Sequence, residues 1–130
     1  MSKPRKIALV LEKKGGKLWG RVVIRRNLIV DSASSLPALE KKLQQAIRDF
    51  EGWENIRFEY AYDLTVFFER FNFLNQSKLA ALAGLHPGLI RQYSSGHKQP
   101  SGEQVRRIEK AIHELGGQLR SVRLAAKAIA

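Results

Sequence analysis

The residues from Gly84 to Pro100, GLHPGLIRQYSSGHKQP, place hydrogen-bonding side chains on a short amphipathic stretch that glycines and prolines punctuate. The positions predicted to face outward are His86, Pro87, Gly88, Leu89, Arg91 and Gln92. A glutamine amide both donates to and accepts from one base edge, and imidazole, guanidinium and ammonium groups donate to bases or phosphates. His97 and Lys98 add basic groups just beyond the stretch. The chemistry indicated is recognition of a polar, anionic partner.

Catalytic and metal-binding patterns are missing from the same chain. It has no cysteine, which excludes thiolate chemistry and disulfides. His86, His97 and His113 are not spaced like the ligands of a zinc site. Acidic residues of the first half form no cluster for divalent metal: Glu12, Asp31, Glu40, Asp49, Glu51, Glu54, Glu59 and Asp63. We therefore expect no catalysis, no metal ion and no cofactor.

Helical spacing dominates the chain from residue 63 onward. Asp63 is a plausible N-cap for a first helix, and NQSKLAALAG, HPGLIRQYSSG and SGEQVRRIEKAIHELGG predict three more. The residues expected to hold the middle two helices against each other are Leu79, Ala80, Ala83, Leu85, Ile90 and Tyr93. Gly84 is expected to supply the positive φ of the turn between them. The last helix carries Val105, Ile108, Ile112 and Leu115 on one stripe and is expected to end at Gly116. The tail QLRSVRLAAKAIA is left open between strand and helix.

The first half alternates between strand and helix patterns. Two apolar runs of period two flank Gly15 and Gly16, which predicts a hairpin, and NLIVDSA is a candidate third strand. A helix with Ser34 or Ser35 as N-cap and Gly52 as its stop follows, with a stripe made of Leu36, Leu39, Leu43, Ala46, Ile47 and Phe50. NIRFEYAYD returns to strand alternation. We predict an α+β protein, with a small antiparallel sheet and one helix in residues 1–62 and an all-α domain in residues 63–130.

Charge and hydropathy define the class of partner. The 130 residues contain 23 Lys and Arg against 12 Asp and Glu, a formal net charge of +11. Such an excess favours nucleic acid, because each basic side chain that neutralises a phosphate releases a counterion. No apolar run reaches the roughly 20 residues that cross a membrane. A cytoplasmic location is expected, since the basic N-terminus lacks a signal-peptide pattern.

The segment from about Leu64 to Leu115 resembles the Cro/Xre-type helix-turn-helix repressor domain. In that family LNQSKLAALAG corresponds to the first motif helix and HPGLIRQYSSG to the recognition helix. The resemblance implies double-stranded DNA as partner, with Gln92 bonding adenine, Leu89 meeting a thymine methyl group and His86 donating at the helix entrance. Gln76 corresponds to a position that bonds phosphate. The complete predicted DNA-binding set is Gln76, Ser77, His86, Gly88, Leu89, Arg91, Gln92, His97 and Lys98.

The order of the two halves resembles the HicB-type antitoxins that carry a C-terminal repressor domain. The segments LWGRVVIRRNLIVDSASSLPALEKKLQQAI and DLTVFFERFNFLNQSKLAALAGLHPGLIRQYSSGHKQP carry that similarity. It implies a partial ribonuclease-H-like fold for the first half, neutralisation of a small ribonuclease toxin, and autorepression by a homodimer on a palindromic operator. The Pro-Gly-Cys-like turn common in that family is replaced here by RRNLIVDSASS.

Three alternatives remain open from the residues. The first half can serve only for dimerisation or sensing, with no toxin partner. The helical domain can be vestigial within a protein-interaction module. RNA binding through the basic sheet is a third option, since Trp19 lies two residues from Arg21 and can stack a base.

Overall fold

A computed structural model describes residues 3–127 and divides the chain into two compact units, one ending at Asn72 and the other beginning at Phe73. The division lies between 72 and 73 rather than between the predicted 62 and 63, because the helix that follows Asp63 packs on the sheet. Val66 of that helix is buried in the core of the first unit. The termini of both predicted domains, residues 1–2 and 128–130, lie outside the described residues.

The first unit contains a sheet of four strands: β1 (Arg5–Lys14), β2 (Lys17–Ile24), β3 (Asn27–Ala33) and β4 (Ile56–Tyr62). Their order is β3-β2-β1-β4. The prediction of an antiparallel sheet is correct for β1 with β2 and for β2 with β3, and wrong for β4, which runs parallel to β1. Helix α1 (Leu36–Glu51) explains the difference: its 16 residues, about 24 Å of helix, return the chain so that β4 starts at the same end as β3 and β1. The sheet is therefore mixed.

Helix α1 covers one face of this sheet. The hydroxyl of Ser35 caps its start by accepting from the Ala38 N–H at 3.3 Å, as expected of an N-cap serine. Its predicted stripe is confirmed at Leu39, Leu43 and Ile47, which are fully buried. Phe50 departs from the prediction and is 78% exposed. It lies beside β3, one of the two edge strands, where the sheet offers little further surface to cover it.

Gly20 lets α1 lie close to the sheet, a role that the sequence pattern did not reveal. This residue of β2 is buried beneath the helix. A Cβ atom at that position would lie 2.9 Å from Leu39 Cδ2 and 2.9 Å from Leu9 Cδ1. Hydrogen there is the only substituent that the packing accepts without a shift.

Helix α2 (Leu64–Arg70) completes the first unit. Asp63 caps its start by accepting from the Val66 N–H at 2.8 Å, which confirms the predicted N-cap. The backbone N–H of Asp63 donates to Leu11 O at 2.9 Å, so the cap also joins α2 to the end of β1.

The second unit consists of α3 (Gln76–Ala83), α4 (Pro87–Ser94) and α5 (Gly102–Ser121). Its buried residues are Leu79, Ala80, Ala83, Ile90, Tyr93, Ile108 and Ala111, which confirms the predicted packing residues of the middle two helices except Leu85, which is half-buried. The prediction that the last helix ends at Gly116 is wrong, because α5 continues through Gly116 and Gly117 to Ser121. Neither glycine has the positive φ of a helix stop. Val105, predicted on the buried stripe, is 40% exposed.

The tail, which the pattern left open, is helical as far as Ser121 and forms neither helix nor strand from residue 122 to residue 127. Its last three residues, 128–130, lie outside the described part of the chain. Among residues 3–127 no helix combines the length and the apolar character needed to cross a bilayer.

Candidate nucleic-acid interface

The start of α3 carries the first two residues of the predicted DNA-binding set. Asn75 is the N-cap, and its side-chain oxygen accepts from the Lys78 N–H at 3.0 Å. Gln76 is then the first helical residue and is half-buried, whereas Ser77 is exposed. An N-terminal turn of this kind presents free backbone N–H groups to an anion, with Ser77 and Lys78 beside them.

The turn after α3 sets the direction of α4. Gly84 has φ +69° and caps α3 in the left-handed conformation, where its N–H donates to the carbonyl oxygens of Ala80 and Ala81. Leu85 N–H donates to Ala80 O at 2.9 Å. Arg107 of α5 donates from Nη2 to Gly84 O at 3.2 Å, which connects the turn to the third helix. The sequence identified Gly84 but gave no signal for Arg107, because its partner is 23 residues away.

Helix α4 presents a polar face to solvent and packs on α3, with Ile90 and Tyr93 buried. His86 is its N-cap, with Nδ1 accepting from the Gly88 N–H at 3.0 Å. This bond places the neutral imidazole proton on Nε2, so the donor that the sequence predicted at the helix entrance is Nε2–H. Arg91 and Gln92 are exposed, while Leu89 is half-buried and offers less surface than predicted.

The end of α4 brings separate predicted residues together. Ser94 Oγ donates to Gln76 Oε1 at 3.3 Å, which links the start of α3 to the end of α4. The Lys98 N–H donates to Gln92 O at 3.2 Å, which holds the following loop against the helix. His97 Nδ1 lies 3.2 Å from Ser95 Oγ. These are two separate contacts, Gln76 with Ser94 and Gln92 with Lys98, and the partner of Gln76 was not predicted.

The electrostatic character of this region follows from a simple feature of composition. Residues 73–101 contain no Asp or Glu, and they contain Lys78, Arg91 and Lys98. Every ion pair found within residues 3–127 belongs to the first unit. The three cations therefore have no carboxylate partner in the described chain, and together they give this surface a positive electrostatic potential.

Residues 3–127 hold no group of three or more His, Cys, Asp or Glu side chains that could bind a metal ion. The clearest pKa shift belongs to Tyr60 in the first unit, whose pKa is raised chiefly because its hydroxyl donates to Glu40 and further because it is partly desolvated. Tyr60 lies in a tyrosine–carboxylate contact on the sheet and is no part of the α3–α4 surface.

Comparison with known proteins found no matching family model, no matching curated protein and no matching solved structure.

Proposed function

We propose that this chain is a DNA-binding transcriptional regulator in which α3, the Gly84 turn and α4 act as a helix-turn-helix. Helix α4 would enter the major groove with His86, Arg91 and Gln92 toward base edges, and the start of α3 would lie on a phosphate. The observation that carries the proposal is the acid-free surface of residues 73–101, on which Lys78, Arg91 and Lys98 have no carboxylate partner in the described chain.

Regulators of this kind bind palindromic operators as homodimers, with half-sites about one helical turn, roughly 34 Å, apart. A second copy has apolar surface available at the end of α5, where Leu119 is 60% exposed, Val122 54% and Leu124 92%. Burial of those side chains between two copies would remove them from water. This supports a homodimer in the proposed regulator.

The test uses the duplex that lies upstream of the chain's own gene, compared with a shuffled duplex of equal length. Gln92→Ala is expected to reduce the preference for the upstream duplex, because its amide would read a base. Lys98→Ala is expected to lower the affinity for both duplexes equally, because an ammonium group that contacts a phosphate does not distinguish one base sequence from another. Lys41→Ala, which removes an exposed charge from α1, is the matched control and should change neither affinity. Failure of the full chain to bind any duplex at low salt would disprove the proposal.

A second role is favoured by the open face of the sheet. Both α1 and α2 pack on the face that carries Leu11 and Val22. The opposite face holds a cavity of about 450 Å³ whose lining includes Val10, Trp19 and Val30. This uncovered apolar surface supports the toxin-neutralising role that the resemblance to HicB-type antitoxins implies, since such a role needs a face for a protein partner.

Co-expression with the product of the adjoining open reading frame tests that second role. A stable complex that Trp19→Glu disrupts, while DNA binding by the same variant is retained, would support it. Absence of a complex with the wild-type chain would leave the proposed regulator without a toxin partner and would assign the sheet to dimerisation or sensing.

A further inference from the structure

Two arginines, Arg25 and Arg26, form the turn between β2 and β3, although a turn of this type favours other residues. Arg25 has φ +51° and Arg26 has φ +72°, and among residues 3–127 they are the only residues other than glycine with positive φ. They occupy the two central positions between the paired residues Ile24 and Asn27. A two-residue hairpin turn with positive φ at both positions favours Asn-Gly, because a Cβ atom is strained there. The arginines therefore call for a reason other than turn formation.

A tryptophan holds this turn and the start of β1 together. Arg5 Cζ lies 4.2 Å from the centroid of the Trp53 ring, and Arg25 Cζ lies 5.6 Å from it. A guanidinium attracted to a ring face keeps its N–H donors for another partner. We call Arg5, Arg25 and Trp53, together with Arg26 as the neighbour of Arg25 in the turn, the arginine cluster.

Carboxylates compensate little of the charge in this cluster. Arg25 Nη1 lies 3.8 Å from Glu51 Oε2, and the Arg25 side chain is still 72% exposed. Arg5 and Arg26 make no ion pair within residues 3–127. Arg5 and Arg26 are exposed and have no carboxylate partner in the described chain.

We propose that the arginine cluster binds the phosphate backbone of duplex DNA without reading its sequence. The proposal rests on the proposed DNA-binding function and adds a second contact, from the first unit, to it. Guanidinium groups suit phosphate oxygens, which accept their paired N–H donors. A duplex is favoured over a single strand because Trp53 is half-buried and already carries Arg5, so its ring is not a free platform for a base.

Arg26→Gly separates binding from folding unusually well. Glycine relieves the strained φ at this position, so the variant is expected to unfold at a temperature higher than wild type. The same variant loses one proposed phosphate contact. A loss of DNA affinity in a protein that is more stable cannot be ascribed to misfolding.

Fluorescence anisotropy measures the affinity of the full chain for a random-sequence duplex of about 20 base pairs, at salt concentrations between about 50 and 200 mM. Each lost phosphate contact reduces the slope of log K against log salt by about 0.9. Over that interval the total loss of affinity should therefore be about 3.5-fold smaller for Arg26→Gly than for wild type. For the double variant Arg5→Gln/Arg26→Gly it should be about 12-fold smaller. Lys41→Ala, which removes an exposed charge on α1, should keep the wild-type slope.

Two results would overturn the inference. One is a wild-type slope in Arg26→Gly and in the double variant. The other is a preference for a single strand of thymidylate that Phe50→Ala abolishes, since Phe50 is the exposed aromatic residue on the β3 side of α1. Failure of the proposed function would look different: the upstream duplex would bind no better than the shuffled one, while the effect of Arg26→Gly on the random duplex could still be measured.

Discussion

Replacement of Gly84 by alanine tests the turn on which the proposed interface depends. The backbone there has φ +69°, and a Cβ atom would lie 2.9 Å from Arg107 Nη2. An L-residue in the left-handed region costs about 1–2 kcal/mol. The displaced Arg107 would also lose its hydrogen bond to Gly84 O, at about 0.5–1.5 kcal/mol. The smaller entropy of the unfolded alanine chain offsets about 0.4–1 kcal/mol. We expect a net loss of about 0.5–3 kcal/mol.

Gly116→Ala in the same unit is the matched control with the opposite sign. Gly116 lies inside α5, and a Cβ atom there would meet nothing within 4 Å. Alanine should therefore stabilise the helix by about 0.5–1 kcal/mol. Urea unfolding is followed by far-ultraviolet circular dichroism, because both tryptophans, Trp19 and Trp53, belong to the first unit. Equal stability of Gly84→Ala and wild type would refute the account of this turn.

Three further predictions concern the first unit. Gly20→Ala should destabilise it by about 1–3 kcal/mol, because the new methyl group overpacks the contact with α1. A midpoint of urea unfolding equal to that of wild type would contradict this. Leu43→Ala should cost about 2–5 kcal/mol, whereas Phe50→Ala should change stability by less than about 0.5 kcal/mol, since only Leu43 is buried. Glu40→Gln should lower the pKa of Tyr60 toward 10.0, read from tyrosinate absorbance. Because the folded pKa is raised, this contact stabilises fully below pH 10.0 and is lost as pH rises through the folded value.

Local patterns predicted most elements of the fold correctly. The alternation of Ile7, Leu9 and Leu11 marks the buried face of β1, and Asp63 caps a helix as its residue type suggests. These features depend on neighbours a few residues away, which a sequence displays directly. The parallel direction of β4 depends on where α1 returns the chain, and the unit boundary depends on what α2 packs against. Neither of these is a local property.

The candidate site was predictable to a similar extent. The sequence located α3, Gly84 and α4 because buried Leu79, Ile90 and Tyr93 follow helical spacing. It did not foresee the contacts between elements: Ser94 with Gln76, and Arg107 with Gly84 O. It also missed the positive φ at Arg25 and Arg26, because residue type predicts the opposite there.

The most direct test of the proposed function is amide chemical-shift mapping of the full chain as DNA from upstream of its own gene is added. The account predicts that the largest shifts fall on the exposed side of α3 and α4, at Ser77, Gln92 and Lys98, and that buried Ile108 and Ala111 of α5 shift little. Shifts concentrated on α5 or on residues 122–127, or no shifts at low salt, would contradict it.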